Sequence, residues 1–362
     1  MNTGCLVGLP RRIPPTYRPM PTSFLARPFL RAAAFSSLAA LAACSADSAT
    51  GVATSDAPGT TSTTAAPAAP TSVNPMDGAR LWTDPASNAR RSADAWRSTR
   101  PADAAELDKV AAQPQVRWFG NWNADVAADA DAATTTIAAA GALPVFVAYN
   151  LPQRDCGGLS GNNSTSADGY RAWIAALARG IGARRAAVIL EPDALAGMDC
   201  LSAADQQLRL DLLSAAVQAL RASGTISVYL DAGNPAWQTP ATMASRLSRA
   251  GIASAQGFSL NVSNFLATTA NVSYGRQLSA LVGDKHFVID TGRNGVGGNG
   301  EWCNPTGRAL GERPTTSTGQ ALVDAFLWVK APGESDGACN GGSASGQWMP
   351  EYALGLAQRA NY

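Results

Sequence analysis

The stretch ILEPDAL at 189–195 runs an apolar segment directly into Glu191 and Asp193. Acids recur at the ends of other apolar runs: Asp155 in YNLPQRDCGG, Asp231 in YLDAGNPAW, Asp290 in VIDTGRNG, and Glu334 with Asp336 in WVKAPGESDG. Carboxyl groups gathered on one face repel each other. Some must pair with Arg154, Arg293 or Lys330, and at least one can keep its proton near neutral pH, which makes it a general acid. Any one of these acids is explained more simply as a helix cap or an arginine partner; their recurrence together points to chemistry. Aromatic residues accompany them: Trp118 and Trp122 in RWFGNWN, Trp237 after Asp231, Trp302 before Cys303, and Trp328 before Lys330. Tryptophan beside carboxylates suits stacking on the apolar faces of sugar rings. Trp173 reads as core, and Trp328 suits either role.

The elements that must position these residues alternate along the chain. Continuous apolar runs lie at 143–150, 186–193, 226–233, 257–264, 286–294 and 325–333. Continuous rather than alternating runs suit strands buried on both faces. Helical patterns separate them, including one that opens at a Ser202 cap and closes at Gly224. Strand–helix alternation implies a parallel sheet. Tyr149, Asn150, Asp193, Asp231, Asn261, Asp290 and Lys330 fall at the run ends. In a parallel barrel all carboxyl ends of the strands meet at one face; an open doubly wound sheet would gather them along a crevice. Neither GxGxxG nor a P-loop is present, so nothing supports a nucleotide site.

The 28 basic and 27 acidic residues leave no electrostatic footprint for nucleic acid. One histidine, His286, excludes a multi-histidine metal site and argues against a Ser-His-Asp apparatus. No metal or cofactor is expected. The N-terminal FLRAAAFSSLAALAAC reads as an export signal, too short to span a bilayer. Its LAAC resembles a bacterial lipoprotein box with Cys44 as the lipidated residue. The expectation is a 1–44 signal, with Met20 as an alternative start, and a 45–73 Ser/Thr/Ala/Pro-rich tether. The protein would then be secreted or held as a lipoprotein on the outer face of the cell membrane. Cys156, Cys200, Cys303 and Cys339 follow, an even count that reads as disulfides in an exported chain. Three pairings are possible. The expected one is Cys156–Cys200 with Cys303–Cys339, each worth roughly 3–4 kcal/mol by loop closure.

The six motifs YNLPQRDCGG, ILEPDAL, YLDAGNPAW, GFSLNVSNF, HFVIDTGRNG…EWCNPTGRALG and LWVKAPGESDG, in that order, resemble glycoside hydrolase family 6, as does NPMDGARLWTDPASNARR at 74–91. The resemblance covers 74–362, taken as one catalytic domain. It implies a distorted, TIM-like parallel (β/α) barrel with fewer than eight strands, seven being the expectation, and two disulfides in the pairing above. It further implies inverting hydrolysis of β-1,4-glucan without a cofactor. By motif, Asp193 would be the general acid, and Asp155 would tune its pKa and stabilise charge. Asp336 would be the candidate base, with a water relay as the alternative route, and Tyr149 would favour a distorted sugar ring. Trp118, Trp237 and Trp302 match stacking platforms, Lys330 and Glu334 match hydroxyl-binding residues, and Asp231 and Asn261 are further candidates for substrate binding. Asn234 stands where many family members have His. His286, opening an apolar run, reads as packed or surface rather than catalytic. Short Gly/Ser/Asn-rich segments at 293–303 and 337–349 favour an open cleft and endo action over a cellobiohydrolase. A monomer is expected. The rival class is a surface lipoprotein that binds glucan without cutting it.

Overall fold

In the computed structural model, residues 73–362 are described apart from 162 and 164. The expected signal, the Cys44 lipid site, the Met20 start and all of the tether but Val73 lie outside the described residues. Two helices, α1 (Asn88–Trp96) and α2 (Pro101–Ala111), precede a seven-stranded sheet. The strands are β1 (Arg117–Gly120), β2 (Val145–Tyr149), β3 (Ala186–Leu190), β4 (Ile226–Asp231), β5 (Gly257–Leu260), β6 (His286–Asp290) and β7 (Val323–Leu327). All neighbours pair in parallel and in chain order. Such an order curls the sheet instead of reversing it, so the doubly wound alternative falls.

The apolar runs are continuous because both strand faces are covered. Val145, Val147, Ile189, Val288 and Leu327 pack inside the curl, whereas Phe146, Val188, Leu230, Phe258 and Phe287 pack outward. The outer layer is α3 (Val126–Ala139), α4 (Ala167–Ile181), α5 (Ala203–Arg221), α6 (Pro240–Arg249) and α7 (Thr268–Leu281), one per crossover. Asp125, Ser166, Ser202 and Thr239 cap four of them by accepting backbone N–H bonds. Each such cap stabilises by about 1 kcal/mol. The helix begun at Ser202 ends at Arg221, three residues before Gly224, whose φ of 73° suits glycine. The β6–β7 crossover, 291–322, contains no helix. The last helix, α8 (Pro350–Gln358), packs with α1 and α2 beside Trp328.

The barrel is incomplete at the β7–β1 seam. Val116 N–H donates to Trp328 O (3.0 Å) and Trp118 Nε1 to Val329 O (2.7 Å), so the seam is joined without strand pairing. A bulge in β7 lets Asp324 slip the β6 register, since Phe287 pairs with Val323 and Val288 with Ala325. Asp324 there accepts from Tyr229 Oη (2.6 Å) and lies 2.5 Å from His286 Nδ1. The sole histidine is thus buried at the start of β6, away from the carboxyl ends of the strands. Both expected disulfides form: Cys156–Cys200 joins the loops after β2 and β3, and Cys303–Cys339 joins the loops after β6 and β7.

Candidate active site

The carboxyl ends of the strands are fastened to each other by acids whose lone pairs are already used. Glu191, just past β3, is 1% exposed and takes N–H bonds from Asn150 (2.9 and 3.1 Å) and Leu151 (3.1 Å) after β2. Burial pushes its pKa up to about 7 against the lowering effect of those bonds. Asp231, ending β4, accepts from Asp193 N (2.9 Å), Gly233 N (3.0 Å) and Ser259 Oγ (2.9 Å), linking β3, β4 and β5. Asp290, ending β6, accepts from the N–H groups of Ser263, Gly292, Val329 and Lys330. Asn261 donates to Asp290 O (2.8 Å) and accepts from Leu266 N (3.1 Å). Asp231 and Asn261 were expected to bind substrate. They are 1% and 0% exposed, and their polar atoms bond backbone groups and, for Asp231, the Ser259 hydroxyl, so that they tie the strand ends together. A strand-end acid in a sequence does not reveal whether its oxygens face the cleft or a neighbouring N–H.

Asp193 is placed differently. Its backbone is left-handed, with φ 70°, and its N–H is fixed by Asp231. Its side chain is half-buried, yet Oδ1 is fully covered and has no hydrogen-bond partner. Burial raises its pKa well above the usual carboxylate range; the charges of Asp231, Asp155 and Asp336 raise it further, and Lys330 opposes them. A carboxyl group with that field and a free oxygen can donate a proton.

Asp155 sits on a tight turn between Gln153 and Gly158, with φ 53°, and is exposed. One oxygen, Oδ2, accepts from Ser160 N (2.8 Å). Next to it, Arg154 is buried; it donates to Tyr149 O (2.7 Å), Ser160 O (2.7 Å) and Asn121 Oδ1 (3.0 Å) and lies 4.3 Å from the Tyr149 ring centre. Tyr149 is 7% exposed, and burial followed by the Asp193 charge raises its pKa, so the phenol stays protonated.

On the opposite side, Asp336 is held in a bidentate pair with Arg293 (2.9 Å to each oxygen) and also accepts from Asn304 N (2.9 Å). Both groups are buried. The candidate base thus has both of its oxygens engaged, a geometry that favours a fixed charge over proton uptake. Lys330 Nζ donates to Ser335 O (3.0 Å), and burial lowers its pKa, with Glu334 the largest opposing charge. Glu334 is half-buried and raised in pKa by burial, an effect that Lys330 counters.

Trp237 (42% exposed) and Trp302 (54%) present open rings on the loops after β4 and β6. Trp118 is less available: its ring meets Tyr149 edge-on at 5.4 Å and its N–H is used at the seam. Trp122, four residues on, is 56% exposed, with Arg154 5.9 Å from its ring. It is the stronger candidate in RWFGNWN, and with β1 unmarked by any apolar run the sequence carried no signal to separate it from Trp118. Asn234 is 1% exposed; its Oδ1 accepts from Ala236 N (3.0 Å), and its Nδ2 has no partner. No cluster suited to a metal ion occurs among the described residues.

The chain matches the family described as Glycosyl hydrolases family 6 over residues 76–360. It is 45% identical over 291 residues to Endoglucanase A of Cellulomonas fimi, covering 80% of this chain and 63% of that protein. It is also 45% identical over 285 residues to Endoglucanase 1 of Streptomyces halstedii, covering 75% and 87%. Among solved structures, the endoglucanase Cel6 of Mycobacterium tuberculosis in complex with methyl-cellobiosyl-4-deoxy-4-thio-β-D-cellobioside superposes with a TM-score of 0.75. The identity is 43%, over 79% of this chain and 99% of that one. The chain therefore spans under two thirds of the first relative and nearly all of the solved one.

Proposed function

The chain belongs to glycosyl hydrolases family 6, and from that premise we propose that it is an inverting endo-β-1,4-glucanase acting on cellulose or a related β-glucan. The observation that carries the reading is Asp193, whose covered Oδ1 lacks a partner amid Asp155, Asp231 and Asp336. Asp193 donates its proton to the leaving glycosidic oxygen. Asp155, with capacity left on its carboxylate, supports the proton on Asp193 and then the positive charge that develops on the sugar ring. Tyr149, stiffened by Arg154, crowds that ring toward the distorted shape of the transition state. Inversion needs a water between sugar and base, with carboxyls about 6.5–9.5 Å apart. The water's proton leaves through a solvent relay, because Asp336 is occupied by Arg293 and Asn304 and serves as a fixed negative charge.

Trp122, Trp237 and Trp302 supply sugar platforms, with Trp118 behind Tyr149, while Lys330 and Glu334 face the sugar hydroxyls. Endo action is supported by the two relatives named endoglucanases at 45% identity and by the short loops after β6 and β7. Export is supported by two disulfides, which persist in oxidising compartments; attachment through Cys44 rests on the LAAC motif alone.

NMR of the first product decides the stereochemistry. The α-anomer is expected, and a β-anomer appearing first would overturn inversion. Asp193→Ala should fold normally and lose about 10²–10⁴-fold in activity on carboxymethylcellulose. The loss should be smallest on aryl glycosides whose leaving groups need no proton. Cleavage at the parental rate would remove Asp193 as the acid.

A further inference from the structure

Arg209 lies on α5, outside the carboxylate cluster, and is 3% exposed. Two of its three guanidinium nitrogens bond carbonyl groups of two loops, while the covered Nε has no partner. Nη1 donates to Ala194 O (3.1 Å), and Nη2 donates to Gln153 O (2.8 Å) and Pro152 O (3.3 Å). Ala194 follows Asp193 directly, and Gln153 stands two residues before Asp155. Both loops carry strained backbone at residues other than glycine: φ is 53° at Gln153, 53° at Asp155 and 48° at Cys156, and 52° at Glu191 and 70° at Asp193. Such conformations persist only where the surroundings over-determine them.

Two other ties join these loops, one on either side. Glu191 reaches back to the N–H groups of Asn150 and Leu151, and Cys156 is bonded to Cys200. Between those two ties in sequence, Arg209 bonds the carbonyls of residues 152 and 153 on one loop and of residue 194 on the other. A guanidinium is a rigid planar fork, so one side chain fixes the relative position of carbonyls from both loops. A lysine ammonium is a single point on a flexible stem and imposes no such geometry.

We infer that Arg209 is a positioning residue that sets the spacing between the Asp155 and Asp193 loops, and through it the proton-donating competence of Asp193. The inference rests on the roles proposed above for those two aspartates. The charged groups facing Asp193 are Asp231, Asp155, Asp336 and Lys330; those facing Arg209 are Glu191 and Asp205, with Tyr149 beside them. Of the charges around Asp193, Asp155 is the one whose loop Arg209 holds.

Three variants test it: Asp155→Asn, Arg209→Gln and Arg209→Lys, each followed by Tm, by kcat and KM on soluble β-1,4-glucan, and by the pH profile of kcat. Asp155→Asn should move the alkaline limb to lower pH, since a neighbouring negative charge raises the acid's pKa. If it leaves the limb in place, the role given to Asp155 fails, whatever Arg209 does. Arg209→Gln should lower kcat by about thirtyfold or more with KM changed by less than about twofold. It should also move the alkaline limb down by about half a pH unit as the Asp155 charge drifts away. Arg209→Lys, able to reach one loop at a time, should show the same changes at smaller size. If Asp155→Asn moves the limb while both Arg209 variants keep parental kcat and limb and lose only Tm, Arg209 is structural and the inference is overturned. Should Arg209→Gln fail to fold, Arg209→Lys decides alone, and a parental profile there overturns the inference.

Discussion

Glu191 is a glutamate almost wholly out of water, fed by backbone N–H groups and pushed up to about 7 by burial. Its pKa in the unfolded chain is the ordinary 4.5. Below that value the residue is protonated in both states. Between 4.5 and about 7 the folded protein keeps a proton that the unfolded chain has lost, so stability falls as pH rises. Above the window both states are charged and the loss is complete. Each pH unit inside it removes up to about 1 kcal/mol, and the raised pKa of Asp193 and of Asp231 acts in the same direction. The Tm difference between pH 5 and pH 8 should therefore be smaller in Glu191→Gln than in the parent; equal differences would place the responsible proton elsewhere. At this scale the sequence was informative about residue type and silent about direction. Asp193 and Asp231 both end apolar runs, yet one keeps an oxygen free and the other gives both to neighbouring groups.

Elements were legible where burial is two-sided. Six strands were visible as continuous apolar runs because helices cover one face and the barrel interior the other. β1 was not recognised as a strand: it has four residues, and its first, Arg117, is exposed. The helix-free β6–β7 crossover was equally hidden, since its place is held by a disulfide and the Arg293–Asp336 pair instead of a periodic pattern. Positioning of the acids belongs to the loops, and there the Cys156–Cys200 bond closes 44 residues. Its removal by paired Cys→Ala changes should lower stability by about 4 kcal/mol by the chain-entropy relation. With Glu191 and Arg209 still in place, the fold should survive and kcat should drop by about tenfold or more. A parental kcat, measured well below the variant's Tm, would show that the bond serves stability alone.

Across the whole molecule, access to the acids depends on which loops meet above the sheet. The loop after β2 reaches the loop after β7: Leu159 packs on Gly337, and Ser160 Oγ lies 3.2 Å from Ser345 Oγ. On the loops after β4 and β6, Trp237 and Trp302 remain open to solvent. A long chain can lie against that side without being threaded from its end. The solution viscosity of carboxymethylcellulose should then fall well before reducing ends accumulate. Release of cellobiose alone from the first minutes would contradict endo action.

The bond between Cys156 and Cys200 also bears on when the protein becomes active. A chain folded where thiols stay reduced would hold every carboxylate named above and lack one of the ties that bring two of them into register. Full activity is then expected where the bond can form, in an oxidising compartment.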